Sequence, residues 1–423
     1  MKKNLIILFM SICCSVPLDL FGQESVERTL DIDKSIFYAH RNRKEILFAQ
    51  QEIDLSKERV SEARSFKFPK VDFVFNYVQI DKDKTVILPP NFGSLFIEPT
   101  DLGQYYFTRL SLWQNIYSGG RYTSSLKLAE SNLSRARNQL NIVKNNVSFE
   151  VEKAFYELLA VEEKMKVYEQ VIPVLDKQPD IEKLEINREI TGIKDDYSML
   201  INNQYQQYKL DFLNTLGLEL DTVFGIKGEF KPITENYNLN ELLAWAFQYR
   251  TEPRQFEVEE EMDSLSMKLS MAARYPTVTL GINYDFGNDQ FSDMFREKVG
   301  NVTLNFDLPL FDGWASWARI GQKRLQLEQG KLQRKNIEDS IRLEVRKSHN
   351  DYQFWVQEVA KRENELKKYE ELLKSAGSKN PAALIETYNG YLNSKIRQID
   401  GVCKNLISYA ALEHAVGKPL KSE

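Results

Sequence analysis

Cysteine is almost missing from this chain: three in 423 residues. Cys13 and Cys14 fall in the N-terminal leader, so the mature chain keeps only Cys403 and can form no internal disulfide. Histidine is as scarce. His40, His349 and His414 lie far apart, without the spacing of metal ligands. No phosphate-binding loop, G-x-S-x-G elbow or paired metal-ligand motif occurs, so no catalytic residue, metal or cofactor is expected, and the chain does not read as an enzyme. Positive charge is not in excess. The formal net charge is −5, which argues against nucleic acid as a partner. After the leader there is also no run of about 18 apolar residues, the length a membrane-spanning helix requires.

The leader has Lys2 and Lys3, an apolar run from Leu5 to Val16, and small or polar residues at Gly22 and Gln23. Residues 1–22 read as a secretory signal peptide. Met10, Ser11 and Ile12 do not form the small-residue box that precedes a lipidated cysteine. An exported chain without a spanning helix is periplasmic, secreted or a membrane barrel, and only the barrel announces itself by alternating strands.

Alternation is present four times. Val71, Phe73, Phe75 and Tyr77 alternate with Asp72, Val74, Asn76 and Val78, giving a strand at about 70–79. Further strands are expected at about 105–115, 277–286 and 300–310, with Leu110, Leu112, Leu280, Ile282, Val302, Leu304 and Phe306 on the apolar side. Asp72, Asn76, Arg109, Asn283, Asn305 and Asp307 fall on the wet side and are expected to line a lumen. Tyr77, Tyr284, Phe107 and Trp113 are expected to form an interfacial aromatic girdle, the alternative being sheet core. Residues 79–104 form a loop rich in Pro, Gly and Asp.

The rest reads as helix, and the whole is an internal repeat. Pro276, Val278, Asn283, Arg250 and Glu252 each lie 207 positions after Pro69, Val71, Asn76, Arg43 and Glu45. Gly313, Leu304, Glu344 and Val345 lie 194 after Gly119, Leu110, Glu150 and Val151, and Gly417 lies 200 after Gly217. The first repeat spans 23–217, a connector 218–238, the second repeat 239–417 and a tail 418–423. Each repeat is helix, strand, strand and a helical hairpin, beginning with an unbroken helix over Ile32–Phe66 and over Leu239–Ala273. In both, the second strand runs into a long helix across one compact turn, at Gly119–Gly120 and at Gly313. The second hairpin turns at Gly377–Pro381. The first turns at 176–180 or at 191–194; Pro173 and Pro179 favour the former.

Four strands of this length suffice to cross a membrane but not to close a barrel, and an open edge in lipid leaves N–H and C=O groups unpaired. Either the strands form an ordinary sheet in a soluble protein or several subunits pool them, and the alternating faces favour pooling; three copies supply twelve strands. The helices beyond the turns reach roughly 90 Å at 1.5 Å per residue.

The repeat plan, the segment LPLFDGWASWARI at 308–320 and its echo NIYSGGRYTSSL at 115–126 resemble the TolC-type outer-membrane efflux proteins, the outer membrane factors. The resemblance covers essentially the whole mature chain. It implies an α+β membrane protein of the Gram-negative cell: a homotrimer with a twelve-stranded β-barrel in outer-membrane lipid, continued by an α-helical coiled-coil tunnel through the periplasm and belted at its equator by the connector and the C-terminal region. It further implies a passive gated duct of a tripartite efflux or type I secretion system, with a periplasmic adaptor (membrane fusion) protein and an inner-membrane transporter as partners. Matching the family's tip pattern places its cationic gate position on Lys379 and one acidic ring position on Glu386. The second acidic position falls on Ala383 and the tip tyrosine on Lys374, so the gate pattern is only partly met. The alternative class is a periplasmic coiled-coil adaptor or structural protein, which leaves the alternating strands without a purpose.

Overall fold

The computed structural model describes residues 29–79, 104–176, 184–288, 290–375 and 381–420. The leader, Lys379, residues 177–183, most of the expected turn at Gly377–Pro381 and nearly all of the expected loop 79–104 lie outside the described residues. In chain order the elements are β1 (Thr29–Leu30), α1 (Ile32–Asn42), α2 (Lys44–Ser65), β2 (Lys70–Gln79), β3 (Gln104–Tyr117) and α3 (Arg121–Leu175). Then come α4 (Leu184–Met199), a π-helical turn (Leu200–Tyr205), α5 (Gln206–Leu216) and β4 (Gly225–Ile226). The second repeat contributes α6 (Leu239–Tyr249), α7 (Glu252–Ala272), β5 (Thr277–Asn288), β6 (Lys298–Asp307), α8 (Ala315–Ser375) and α9 (Pro381–Val416).

Three expectations are corrected. The first helix of each repeat is two helices, broken at Arg43 (ψ 126°) and at Arg250 (ψ 145°), where the backbone turns extended for one residue. The apolar stripe carries across the break, so periodicity does not register it. The fourth strand stops at Asp307 rather than 310, because Pro309 has no N–H to continue a ladder and the chain is already turning into α8. The third strand runs on to Asn288, and a short 3₁₀ turn at Phe291–Asp293 takes up much of what reads as loop. Helix continues through Gly192, whereas α3 ends at Leu175 and helix resumes at Leu184.

The sheet order is β2-β3-β5-β6, all antiparallel, with β2 and β6 as its two edges. The β3–β5 pairing joins the two repeats, with Leu110 opposite Tyr284 and Ser111 opposite Asn283. The hairpins share one register: Phe73 faces Leu110 in the first, and Leu280 faces Leu304 in the second.

Among the helices, α2 packs on α3, while α7 packs on both α3 and α8, and α9 lies against α8 and α3. The buried seam repeats as well. Val151 and Val345 are both fully buried, and each anchors a core, with Phe155, Phe212 and Leu216 in one and Tyr352, Leu412 and Val416 in the other. A third core runs toward the tip, where Val171 and Leu175 meet Ile193 and Leu200 and, from α9, Ile385 and Leu392. The connector is strapped across the bundle. Asn405 accepts from the Ile233 N–H (2.8 Å) and donates to the Ile233 carbonyl (3.0 Å), and the Tyr352 hydroxyl donates to the Glu235 carbonyl (2.8 Å).

Candidate functional site: the sheet faces, the two turns and the Arg clamps

In an antiparallel ladder, opposite residues share a face and successive ones alternate. The register therefore puts Asp72, Ser111, Asn283 and Asn301 in one row. Arg109 with Asp285 lies in the next row, and Asn115, Thr279 and Asn305 lie toward the helices, with Asp307 beyond. All six expected wet-face residues share this face. Its chief ionic feature is a two-pronged pair: Arg109 Nε donates to Asp285 Oδ1 at 2.7 Å and Nη2 to Oδ2 at 2.9 Å. Asp285 is only 3% exposed, and the guanidinium also stacks over Phe107 at 5.2 Å. Asp285 was not singled out by the sequence; its position one strand over from Arg109 emerges only from the register.

The opposite face carries Phe73, Leu110 and Tyr284 in one row and Val71, Leu112, Ile282 and Val302 in another. Val302, Leu304 and Phe306 on the edge strand are 65–70% exposed in the single chain. The four aromatics expected as one girdle do not share a face. Tyr77 and Tyr284 lie on the apolar side, but Phe107 and Trp113 lie in odd positions of β3 and so among the polar rows. There Trp113 covers Gly281, where an added Cβ would come within 2.5 Å of the indole. At the outer end, Tyr106 meets Tyr77 (5.1 Å) and Phe291 (5.4 Å), and Phe286 meets Phe295 (5.3 Å). The turn after β5 thus folds onto the apolar side.

The strand-to-helix turns use left-handed backbone in both repeats. Gly119 and Gly120 have φ of 60° and 80°. Their counterparts are Gly313 (66°) and Trp314 (69°), so a tryptophan occupies a conformation that costs an L-residue roughly 1–2 kcal/mol. Asp312 caps α8 by accepting from the Ser316 N–H at 2.8 Å, a contact worth about 1 kcal/mol. Gly119 is tight, with Tyr275 Cβ 2.5 Å from where its own Cβ would sit, whereas nothing in the chain lies near that point on Gly313. Trp314, Phe311 and Leu310 stand exposed, and the Arg274 guanidinium lies 4.0 Å over the Trp317 ring.

At the broken helices the two repeats build the same clamp. Arg250 donates to Glu344 (2.6 Å), to Glu252 (2.6 Å) and to the Ala415 carbonyl (3.1 Å). Arg43 donates to Glu150 (2.8 Å), to Glu45 (3.0 Å) and to the Thr215 carbonyl (3.3 Å). Burial works to raise the Glu344 pKa, but bonds from His414 and Arg250 outweigh it and hold the carboxyl below its usual range. His414 also bridges to the first repeat, 2.9 Å from Asn146 Oδ1 and stacked on Phe149. His40 reaches Ser148 at 3.0 Å, and His349 reaches the Tyr237 carbonyl at 3.0 Å. Near the clamps, burial, then Glu413 and Asp33, push the Glu152 carboxyl up to about 7. Cys403 is buried, and burial above all pushes its thiol up to about 12, the opposite of what a nucleophile needs.

Glu386 is exposed on α9, one turn beyond its start at Pro381. Among the described residues no group of three or more His, Cys, Asp or Glu is placed to hold a metal, and no helix is long and apolar enough to cross a membrane.

No family model and no curated protein matches the chain by sequence. Solved structures match it along nearly its whole length. The CmeC outer membrane channel of Campylobacter jejuni is 14% identical, with TM-score 0.71 over 91% of this chain and 85% of that one. The outer membrane protein VceC of Vibrio cholerae is 15% identical, with TM-score 0.72 over 92% and 97%. The open state of the MtrE outer membrane channel of Neisseria gonorrhoeae is 14% identical, with TM-score 0.73 over 92% and 89%. The likeness is one of fold: the chain has the TolC-like architecture of these channels.

Proposed function

We propose that the chain is the exit duct of a tripartite efflux or type I secretion system: a homotrimeric, passive, gated channel in the outer membrane of a Gram-negative bacterium. A twelve-stranded barrel pooled from three copies crosses the membrane, and the helices form a tunnel in the periplasm. Asp72, Asn76, Arg109, Asn283, Asn305 and Asp307 line its wet interior. A periplasmic adaptor protein and an inner-membrane transporter supply selection and energy. Lys379 and Glu386 contribute to a gate at the helical tip.

One observation carries this reading: a four-stranded sheet whose two edge strands pair with no further strand among the described residues, with one greasy face and one polar face, leading into a helix of 61 residues. In water such a sheet leaves apolar side chains such as Phe73 and Val302 exposed and two edges open to aggregation. In lipid, closed with further copies, the same features are satisfied. The similarity to the channel structures supports it.

Fractionation with unheated gel electrophoresis tests the reading. A heat-sensitive trimer in the outer membrane is expected; a soluble periplasmic monomer sinks the duct and leaves the coiled-coil adaptor or structural protein. For the gate, Glu386→Ala in a purified channel is expected to change conductance and block by cations in a planar bilayer. Unchanged traces remove Glu386 from the gate.

A further inference from the structure

The seam within the chain is a template for a seam the single chain cannot show. The β3–β5 pairing and the packing of α3 against α7 and α9 join repeat one to repeat two. Carried forward by one repeat, these contacts leave the chain and land on a second copy. The shifts are fixed independently of any assembly: 207 positions for the strand after each Pro, 194 for the strand and helix around each turn glycine, and 200 near each repeat's end. Three structural facts agree with them. The two hairpins share one register. Both Arg clamps use equivalent partners. Both repeats end on a left-handed glycine, Gly217 and Gly417.

We infer that β6 of one copy pairs with β2 of the next in the register copied from β3–β5. Leu110–Tyr284 becomes Leu304 opposite Tyr77, Ser111–Asn283 becomes Asn305 opposite Asn76, and Leu112–Ile282 becomes Phe306 opposite Phe75. Apolar thus meets apolar on the outer face and amide meets amide on the inner one. A slip of one residue sets Leu304 against Asn76 and breaks both faces. The turn agrees. Gly119 is packed by Tyr275, so Gly313, open in the single chain, receives Phe68 of the next copy, a side chain that stands exposed. In the helices, Asn146–His414 becomes Ser340 beside Asn214 of the next copy, both exposed in the single chain.

The copied seam lacks the template's polar staples. Arg109–Asp285 becomes Thr303 with Val78, the stacked Phe149–His414 becomes Leu343 with Asn214, and Ser131–Glu261 becomes Leu325 with Asp54. Leu343 and Leu325 are exposed in the single chain. The seam between copies is therefore held by backbone pairing, apolar contact and uncharged polar contacts such as Asn305 with Asn76, without the ion pair, the ring stack and the hydroxyl–carboxylate bond that the seam within the chain adds.

The inference rests on the homotrimer proposed above, and cysteine pairs test it. In a Cys403→Ser background, Leu304→Cys with Tyr77→Cys and Asn305→Cys with Asn76→Cys cover two successive rungs. One of any two successive rungs is the closer kind, with Cα atoms about 4.5 Å apart. Ser340→Cys with Asn214→Cys reports on the helices, and Leu304→Cys with Phe75→Cys on a two-residue slip. Oxidation of the membrane-bound protein is expected to move most of the monomer band, on denaturing gels, to two and three times its mass for one of the first two pairs and for the helix pair. The slipped pair and the single cysteines are expected to stay monomeric. Linkage through the slipped pair, or through none while an unheated trimer band persists, overturns the register and leaves the duct standing. Loss of the trimer band in the parent protein overturns the homotrimer itself.

Discussion

Arg250 Nη1 stands 2.6 Å from Glu344 Oε2, and in the preceding repeat Arg43 Nη2 stands 2.8 Å from Glu150 Oε2. The two clamps differ in burial. The Arg250 side chain is 9% exposed and its carboxylates 27% and 40%; the Arg43 side chain is 16% exposed and its carboxylates 59% and 52%. Deleting one side of a buried pair strands its partner and costs about 3 kcal/mol, whereas an exposed pair is worth about 1 kcal/mol or less. Arg250→Met is therefore expected to lower thermal stability clearly more than Arg43→Met. Adding Glu344→Leu to Arg250→Met should recover part of the loss. Melting curves of the four proteins decide it, and equal losses from the two arginines would contradict the burial argument.

These clamps also mark where the sequence was legible and where it was not. The strands announce themselves because one wet and one greasy face impose period two over ten residues, and Pro69 and Pro276 punctuate their starts. The helix breaks at Arg43 and Arg250 do not, since a single extended residue leaves the apolar stripe in phase. The signal that could have found them was the survival of Arg43/Arg250, Glu45/Glu252 and Glu150/Glu344 at the repeat's own offsets, where most other surface positions have drifted. Phe107 and Trp113 depart from the expected girdle for a different reason. Their aromatic character suggested an interface, but their odd positions in β3 put them with Arg109 and Ser111. The Arg109–Asp285 pair needs the β3–β5 register, which no local pattern contains.

Glu152 predicts a pH dependence. Its carboxyl is raised from 4.5 to about 7 by burial first, then by Glu413 and Asp33. The folded state thus holds a proton that the unfolded chain releases between those two values. The stabilisation this one group contributes is expected to be full below about 4.5 and to fall as pH rises toward 7, with a slope of at most about 1.4 kcal/mol per pH unit. Glu152→Gln should flatten that part of the profile. Thermal melts of both proteins between pH 5 and 8 measure it; parallel curves would mean that Glu152 ionises as freely in the fold as in water.

The turn glycines predict an asymmetry. Alanine at either Gly119 or Gly313 meets the left-handed backbone cost of roughly 1–2 kcal/mol. Gly119→Ala must also drive its methyl into Tyr275, 2.5 Å away, while Gly313→Ala meets no atom of its own chain. Gly119→Ala is expected to be the more damaging to folding of the isolated chain, read from yield and melting temperature before assembly. In the proposed trimer the gap is expected to narrow, because Phe68 of the next copy would take the place of Tyr275. Trp314→Gly relieves the same backbone cost without a new clash and should raise the melting temperature in detergent.

The Arg109–Asp285 pair predicts a change in ion preference. On the wet face the two charges cancel, and the two-pronged geometry leaves the buried carboxylate fully committed to the guanidinium. Asp285→Asn keeps the shape but leaves one uncompensated cation per chain, three around the lumen of the proposed trimer. Reversal potentials across a planar bilayer under a salt gradient should then shift toward anion preference, most clearly at low ionic strength where screening is weak. Arg109→Met should shift them the opposite way, and the double variant should return near the parent value. That return separates a local charge effect from a collapsed barrel, because a barrel distorted by either change alone would not regain its parent selectivity when both are made.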